Sequence, residues 1–343
     1  MRKTLKDVAA LADVSSATAS LALNGHASRV SADVIERVQQ AAKSLNYQPN
    51  LLARGLRTQE TKTIGFISDV VATTPFAGQM IAGAQEHAWS KGWLLLLIDT
   101  NNNASLEAAA IDALHQRRVD GFIYASMFHR IVRIPQGLIG RQVVLLDCTD
   151  EPKEPGIDSV IPHEYEGAMS AMRLLLSQGH RRIGHVTSKE IGVATVERLR
   201  AYKDALAEAK IPFDASLVAY SRSGDAPDGY DGAVQIFANK KAPSAIFCYT
   251  DRMAMGVYEF AQEKGLSIPL DLSVVGFDDQ PFLANALRPA LTTVRLPHYE
   301  MGSWASERLI NLVNDEDSDS PNPMRKYLHC PLVERESVAP PRS

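Results

Sequence analysis

Arg198 and Asp278 are the side chains of this 343-residue sequence best suited to hold a molecule rich in hydroxyl groups. A guanidinium presents a planar fork of donors that engages two neighbouring hydroxyls at once, and a carboxylate accepts from two more. Asp278 follows the run Ser273-Val274-Val275-Gly276-Phe277, which reads as a buried strand. Its carboxylate therefore falls beyond a strand's carboxyl end, where parallel-sheet proteins bind their ligands. The neighbouring Asp279 suggests a pair of catalytic acids, but adjacent residues of an extended segment face opposite ways and cannot flank one substrate bond. His180 and His185 lack a His or Cys partner at metal-ligand spacing, so a structural role is expected of both. No Gly-x-Gly-x-x-Gly follows the first strand run, and neither a phosphate loop nor a Gly-x-Ser-x-Gly elbow occurs. The expectation is binding chemistry with no catalytic residue, no metal and no cofactor.

A second group of candidate residues lies near the start of the chain. Thr4, with Asp7 three residues on, caps a helix whose apolar face is Leu5, Val8, Ala9 and Leu11-Ala12. Asp13-Val14 turns the chain, Ser15 caps a short helix over 16–23, and Ser31 caps a third over 32–45. Two short helices joined by a tight turn fit the helix-turn-helix plan, in which the second helix enters the DNA major groove. On helix 16–23, Ala19, Ala22 and Leu23 point inward, leaving Ser16, Ala17, Ser20 and Leu21 on a small, uncharged outer face. Ala17 and Leu21 can touch a thymine methyl, and Ser16 or Ser20 can hydrogen-bond a base edge. Pro49 breaks the chain after the third helix, and 50–61 reads as a link to the remainder.

From residue 62 the elements needed to position Arg198 and Asp278 emerge. Strand runs at 63–70, 93–100, 119–125, 142–148, 182–187, 216–220, 245–250, 273–278 and 291–296 alternate with helical stretches at 77–91, 105–117, 165–178, 194–209, 228–239, 252–264 and 299–313. A last strand is expected from Tyr327 to Val338, after the acidic loop 315–319. Such alternation gives doubly wound α/β sheets, and nine or more strands divide better into two lobes than into one sheet. Ligands then bind in the cleft between the lobes.

Composition narrows the functional classes. With 45% hydrophobic and 22% charged residues the chain can bury large cores. Its longest apolar run, Trp93–Ile98, is far short of the ~20 residues a membrane span needs. Cys148, Cys248 and Cys330 are odd in number and widely spaced, as expected of reduced thiols in the cytoplasm. The net charge of −4 hides an asymmetry. Residues 1–60 hold eight basic and five acidic residues, +3, whereas the remaining 28 basic and 35 acidic residues leave −7. A basic head on an acidic body suits a chain of which one small domain meets a polyanion.

Taken in order, the segments 4–9 (Thr-Leu-Lys-Asp-Val-Ala), 14–18 (Val-Ser-Ser-Ala-Thr), Asn24-Gly25 and 45–57 (from Leu-Asn-Tyr-Gln-Pro to Gly55-Leu56-Arg57) resemble the amino-terminal signature of the lactose/galactose repressor family. Farther on, 179–183, 250–256, 273–279 and 289–294 resemble its effector-binding core, so the likeness spans nearly the whole chain. The resemblance implies a homodimeric transcriptional repressor, not an enzyme, that reads a pseudo-palindromic operator under control of a small effector, a sugar or sugar derivative. It implies a DNA-binding domain over 1–46, a hinge over 47–61 and a core over 62–343. In that core, the first lobe is expected at 62–161 and 293–322, and the second at 162–292 and 323–343. It places Ser16, Ala17 and Leu21 against base edges and Ser15, Thr18 and Asn24 near phosphates, with Thr4, Ser20, Asn50, Ala53 and Arg57 also on the DNA side and Leu56 wedged into a minor-groove base step. For the effector it adds Phe76, Asp147, Thr250 and Asp251 to Arg198 and Asp278. Two departures stand out in the head. Asp13 replaces a glycine usual in the turn, and Leu21 replaces an arginine, removing a bidentate guanine contact. In the core, Thr250 stands where asparagine is common, and Ala201 replaces a glycine.

Overall fold

The computed structural model describes residues 3–23, 30–47, 60–72, 74, 77–151, 156–190, 192–315 and 323–342. The chain divides between Thr61 and Lys62 into two units.

The first unit contains α1 (Leu5–Leu11), α2 (Ser16–Leu23) and α3 (Ala32–Ser44). Thr4 and Asp7 form a reciprocal capping box: the Asp7 amide donates to the Thr4 hydroxyl at 3.4 Å, and the Thr4 amide to the Asp7 carboxylate at 2.8 Å. The same backbone and hydroxyl donors lower the Asp7 pKa. Asp13 turns the chain with φ +53°, a left-handed conformation that aspartate adopts more readily than most residues. Ser31 occupies the start of α3 with an extended backbone but makes no side-chain cap bond, unlike the expected cap. The core is small: Val8, Ala9, Ala12, Ala19, Ala22, Val38, Ala41 and Ala42, flanked by half-buried Leu5, Val34, Ile35 and Leu45. So many alanines bring the three helices into close contact.

The second unit holds two six-stranded sheets. One comprises β1 (Thr63–Ser68), β2 (Leu94–Asp99), β3 (Gly121–Val132), β4 (Val143–Asp150), β5 (Asp158–Pro162) and β11 (Arg325–Leu328), in the order β11-β5-β4-β3-β1-β2, all parallel. The other comprises β6 (Ile183–Ser188), β7 (Val218–Ser221), β8 (Ala245–Cys248), β9 (Ser273–Asp278), β10 (Thr292–Arg295) and β12 (Leu332–Val333), in the order β12-β10-β9-β8-β6-β7. Only β12 runs antiparallel to its neighbour. Helices α4 (Gly78–Ser90), α5 (Ala104–Gln116) and α11 (His298–Val313) pack with the first sheet. Those of the second are α6 (Glu164–Ser177), α7 (Val193–Glu208), α8 (Ala226–Phe237), α9 (Asp251–Glu263) and the short α10 (Pro281–Ala284).

The chain passes between lobes three times, and two passages differ from expectation. The first follows β5, near 162. The second follows β10, after Arg295 rather than at 293, because Thr292–Arg295 pairs with β9 of the second sheet. The third follows β11, after Leu328 rather than at 323, because Arg325–Leu328 pairs with β5 of the first. The single strand expected over Tyr327–Val338 is thus two short strands in different lobes. β5 was not expected at all, and β3 runs seven residues past its expected end, through a register shift between Ala125 and Arg130.

Each lobe contains a helix pair in near backbone contact. A Cβ on Gly83 would lie 1.9 Å from the Tyr299 carbonyl, and one on Gly302 1.9 Å from that of Met80, joining α4 to α11. Gly229 and Gly256 do the same for α8 and α9. Among the described residues no helix is long and apolar enough to cross a membrane, and the three cysteines are buried and unbridged.

Since both contacts are with backbone, side chains cannot move aside to admit a larger residue. Gly302→Val should destabilise the first lobe by about 3 kcal/mol, read as a lowered urea midpoint, whereas Gly92→Ala, on an open turn, should change stability far less.

Candidate functional site

Arg198, in the second turn of α7, lies at the bottom of the cleft between the two lobes and is 3% exposed. Its Nε donates to Glu164 at 2.7 Å and an Nη to the Tyr249 carbonyl at 2.5 Å, while Asp278 stands 3.8 Å away. The guanidinium also sits over the Phe277 ring, 3.6 Å from its centre, and 4.6 Å from that of Tyr249. Burial alone would lower its pKa, but Glu164, Tyr249 and Asp278 outweigh that and raise it. The cation is fixed before any ligand arrives.

Asp278 ends β9 with φ +114°, which turns its carboxylate into the cleft beside Arg198, and it accepts from Gln280 at 3.0 Å. Asp279 faces elsewhere and pairs with Arg335 at 2.6 Å. Burial raises the Asp278 pKa to about 6 against the pull of Arg198.

Asp147 comes from the opposite lobe. It interrupts β4 with φ +56°, is 2% exposed, and its Oδ1 has no hydrogen-bond partner among the described residues. Burial, reinforced by Glu164, pushes its pKa well up. Met127, Phe128, His129, Asp147, Glu164, Arg198, Tyr249, Thr250 and Asp278 surround a space of about 10 Å³, enough for one water molecule. It lies beside a roomier cavity of about 230 Å³, lined by Phe128, His129 and Arg130 on one side and by Glu190, Thr195, Tyr249 and Arg252 on the other. The long β3 carries Phe128 and His129 to this edge. Burial lowers the His129 pKa and favours the neutral ring.

The other expected positions fare differently. Thr250 lines both spaces, but its hydroxyl is committed, donating to the Gly224 carbonyl at 2.6 Å and accepting from the Met253 amide at 3.1 Å as the cap of α9. Asp251 does not line the cleft. It is fully buried beneath it, one oxygen accepting from the Thr293 hydroxyl at 2.5 Å and the other from the Gln280 amide at 2.7 Å. Those bonds tie α9 to β10 and to the turn after Asp278, so this carboxylate supports the site from behind and is corrected from a ligand contact to a scaffold. Phe76 lies outside the described residues. Glu164, His129 and Tyr249 were not expected. Glu164 opens α6, where an acidic residue is ordinary, and only its pairing with Arg198 reveals its role.

Ser15, just before α2, and Ser16 and Ala17 on it are exposed, Thr18, Ser20 and Leu21 are half-buried, and Ala19 and Ala22 are buried. The Ser15 hydroxyl accepts from the Thr18 amide at 3.0 Å and meets the Thr18 hydroxyl at 2.8 Å. The helix carries no charged residue. Asn24, Asn50, Ala53, Leu56 and Arg57 lie outside the described residues. His180 bridges Ser244 and the Ala339 carbonyl, and His185 Nδ1 donates to the Phe247 carbonyl at 2.9 Å while the ring is stacked between Tyr202 and Phe247, both structural roles.

Fold and cleft together define a two-lobed ligand-binding protein that carries a helix-turn-helix head. Residues 61–330 match the family described as periplasmic binding proteins and sugar binding domain of the LacI family, and residues 4–50 match bacterial regulatory proteins of the lacI family. The chain belongs to the LacI family of bacterial transcriptional regulators, which bind DNA and are not enzymes. It is 33% identical to the ribose operon repressor of Haemophilus influenzae and 33% identical to the transcriptional repressor PurR of Vibrio atlanticus, in each case over 98% of both chains. Among solved structures it is similar to the lac repressor dimer bound to operator and the anti-inducer ONPF (25% identity, 99% of this chain and 100% of that one, TM-score 0.80). It is also similar to a CelR–cellobiose complex (27%, 98% and 100%, TM-score 0.69).

The raised pKa of Asp278 has a consequence for stability. Folded, this carboxyl keeps its proton to about pH 6, whereas an unfolded aspartate loses it near ~4. The folded chain therefore binds more protons in that window, and this group's contribution to stability falls as pH rises through it. Asp278→Asn should remove the slope. Relative to that variant, the urea unfolding free energy of the wild type should drop by on the order of 2 kcal/mol between pH 4 and 6.5; parallel pH profiles would count against the assignment.

Proposed function

We propose that this chain is a cytoplasmic repressor, acting as a homodimer on a pseudo-palindromic operator, whose DNA affinity is set by a sugar or sugar derivative bound between the lobes of its core. The observation that carries the reading is the buried Arg198, held by Glu164 beside Asp278 and facing Asp147 across the cleft. Charged forks and carboxylates on both walls, with Phe128 and Tyr249 as apolar surfaces, suit a ring of hydroxyls with C–H faces. The members of this set offered as effector contacts are Arg198, Asp278, Asp147 and Thr250, with Phe76.

Effector control follows from linkage. A ligand that touches both walls binds the closed arrangement of the lobes better than an open one, and can shift operator affinity only by that difference. Dimerisation has support in exposed apolar side chains: Leu94 and Leu97 on the edge strand β2, Trp89 at the end of α4, and Phe282, 87% exposed, on the second lobe. In the head, Ser16, Ala17, Ser20 and Leu21 are offered as base readers, and Thr4, Ser15, Thr18 and Asn24 as phosphate-side contacts. Asn50, Ala53, Leu56 and Arg57 are the hinge positions.

DNase I footprinting upstream of the encoding gene and its neighbours tests the proposal. A protected palindrome, lost progressively with rising salt, is expected, and no protected site at low salt would refute it. Leu56→Gly should weaken operator binding at least ~10-fold while sparing effector binding, because it removes the wedge and leaves the core intact.

A further inference from the structure

The second lobe carries a groove that the effector reading does not use. It lies at the amino end of β6, the opposite end of that strand from Ser188 and the cleft, where the last turns of α7 and the loop 209–217 meet Arg181 and Arg182. Its volume is about 500 Å³, within the range of roughly 300–1,000 Å³ usual for small-molecule sites. Ile183, Tyr202, Leu206, Ile211, Pro212 and Phe213 give it an apolar lining. Phe213 is 45% exposed and stands edge-on to Tyr202, the ring centres 6.4 Å apart. Tyr202 is itself fixed, its hydroxyl donating to the Ile183 carbonyl at 2.8 Å and its ring stacked on His185. The exposed ring therefore leans on a rigid base.

The rim is basic although the body is acidic overall. Segments 181–183, 202–217 and 240–241 hold Arg181, Arg182, Lys203, Lys210, Lys240 and Lys241 against only Asp204, Glu208 and Asp214. All three acids are engaged: Asp214 by Arg182 at 2.9 Å, Glu208 by Arg173 at 3.7 Å and Asp204 by the Tyr165 hydroxyl at 3.0 Å. The Lys203 ammonium sits 5.0 Å from the centre of the Phe213 ring. Arg181 is exposed and turns one Nη to the Leu176 and His180 carbonyls, at 3.2 Å each. The end of α7 does not oppose an anion, because the carbonyls of Ala205, Leu206 and Ala207 already accept from the amides of Ala209, Ile211 and Lys210 at 3.1, 2.9 and 2.9 Å.

We infer that this groove is a second small-molecule site, separate from the cleft, and that it takes a flat apolar molecule with one negative charge, an aromatic carboxylate. The ring of the ligand lies against Phe213, and its carboxylate meets Lys203 and Arg181 at the rim, where hydrogen bonds between charged groups are stronger than neutral ones. A neutral analogue keeps the ring contact and forfeits the charge, and an ammonium analogue is repelled by the rim. Tyr202 and Leu206 continue the buried face of α7 that bears Arg198, so groove and cleft share one helix. The inference stands whatever the cleft binds.

The test is displacement of 8-anilinonaphthalene-1-sulfonate from the full chain, followed by fluorescence, using indole-3-acetate, indole-3-ethanol and tryptamine, which share a ring and differ in charge. Saturable displacement is expected, with indole-3-acetate at least ~10-fold tighter than either analogue. Phe213→Ala, checked for folding by circular dichroism, should weaken indole-3-acetate at least ~10-fold through loss of the ring contact. The exposed double substitution Arg181→Gln with Lys203→Gln should bring indole-3-acetate down to the level of indole-3-ethanol. Phe128→Ala reports on the cleft instead. Three compounds of equal affinity, no saturable displacement by any of them, or sensitivity to Phe128→Ala with none to Phe213→Ala overturns the inference.

Discussion

A guanidinium withdrawn from water on every side dictates what its neighbours must be. Arg198 is such a group, and breaking a buried pair by removing one partner is strongly destabilising, because the remaining charge stays uncompensated. Glu164 supplies the counter-charge, the Tyr249 carbonyl takes a further donor, and the aromatic faces of Phe277 and Tyr249 receive the flat surfaces. These partners arrive from three different elements: the first turn of α6, the end of β8 and the end of β9. The cation therefore fixes the floor of the cleft as one rigid cluster. Asp251, with no access to the cleft, extends that rigidity by locking α9 to β10 and to the turn bearing Asp278.

The two walls of the cleft are built on opposite terms. The floor of the second lobe is saturated with internal bonds, whereas Asp147 on the first lobe keeps an oxygen unpaired. An unsatisfied buried acceptor costs about 1–3 kcal/mol, and the lobe tolerates it in a β4 whose backbone is already bent at that residue. Such local departures from good folding practice concentrate where a protein does its work. The head divides its tasks similarly. Thr4 and Asp7 cap α1, alanines pack the core, and the exposed start of α2 is left small and uncharged.

Much of this was legible in the sequence, for identifiable reasons. Arg198 and Asp278 stood out because a fork and a strand-end carboxylate are unusual as neighbours of apolar runs, and the pair does meet in space. The head was readable because its helices are local and the caps of α1 and α2, Thr4 and Ser15, bond amides within three residues, whereas the cap expected of Ser31 is not made. Glu164 was not, since an acid in a first turn has an ordinary explanation. Asp251 was misread because a strand-end carboxylate can point forward into a cleft or back into the scaffold, and its partners Thr293 and Gln280 are distant in sequence. β5 and β12 span five and two residues, too few for periodicity to declare itself. The lobe assignment of β10 and β11 depends on which distant strand each pairs with, which no local pattern encodes.

The three passages between lobes have a consequence for how the molecule comes into being. A ribosome adding roughly 5–20 residues per second delivers the head first and needs about 15–60 s more for the core. The first lobe cannot be finished in the order in which it is begun. Its helix α4, whose glycine face is shaped to receive α11, waits for a partner more than two hundred residues downstream, and its edge strand β11 emerges later still. A nascent chain thus possesses a folded reading head before it owns a sensor, and the lobe nearest the head in sequence is among the last parts to close.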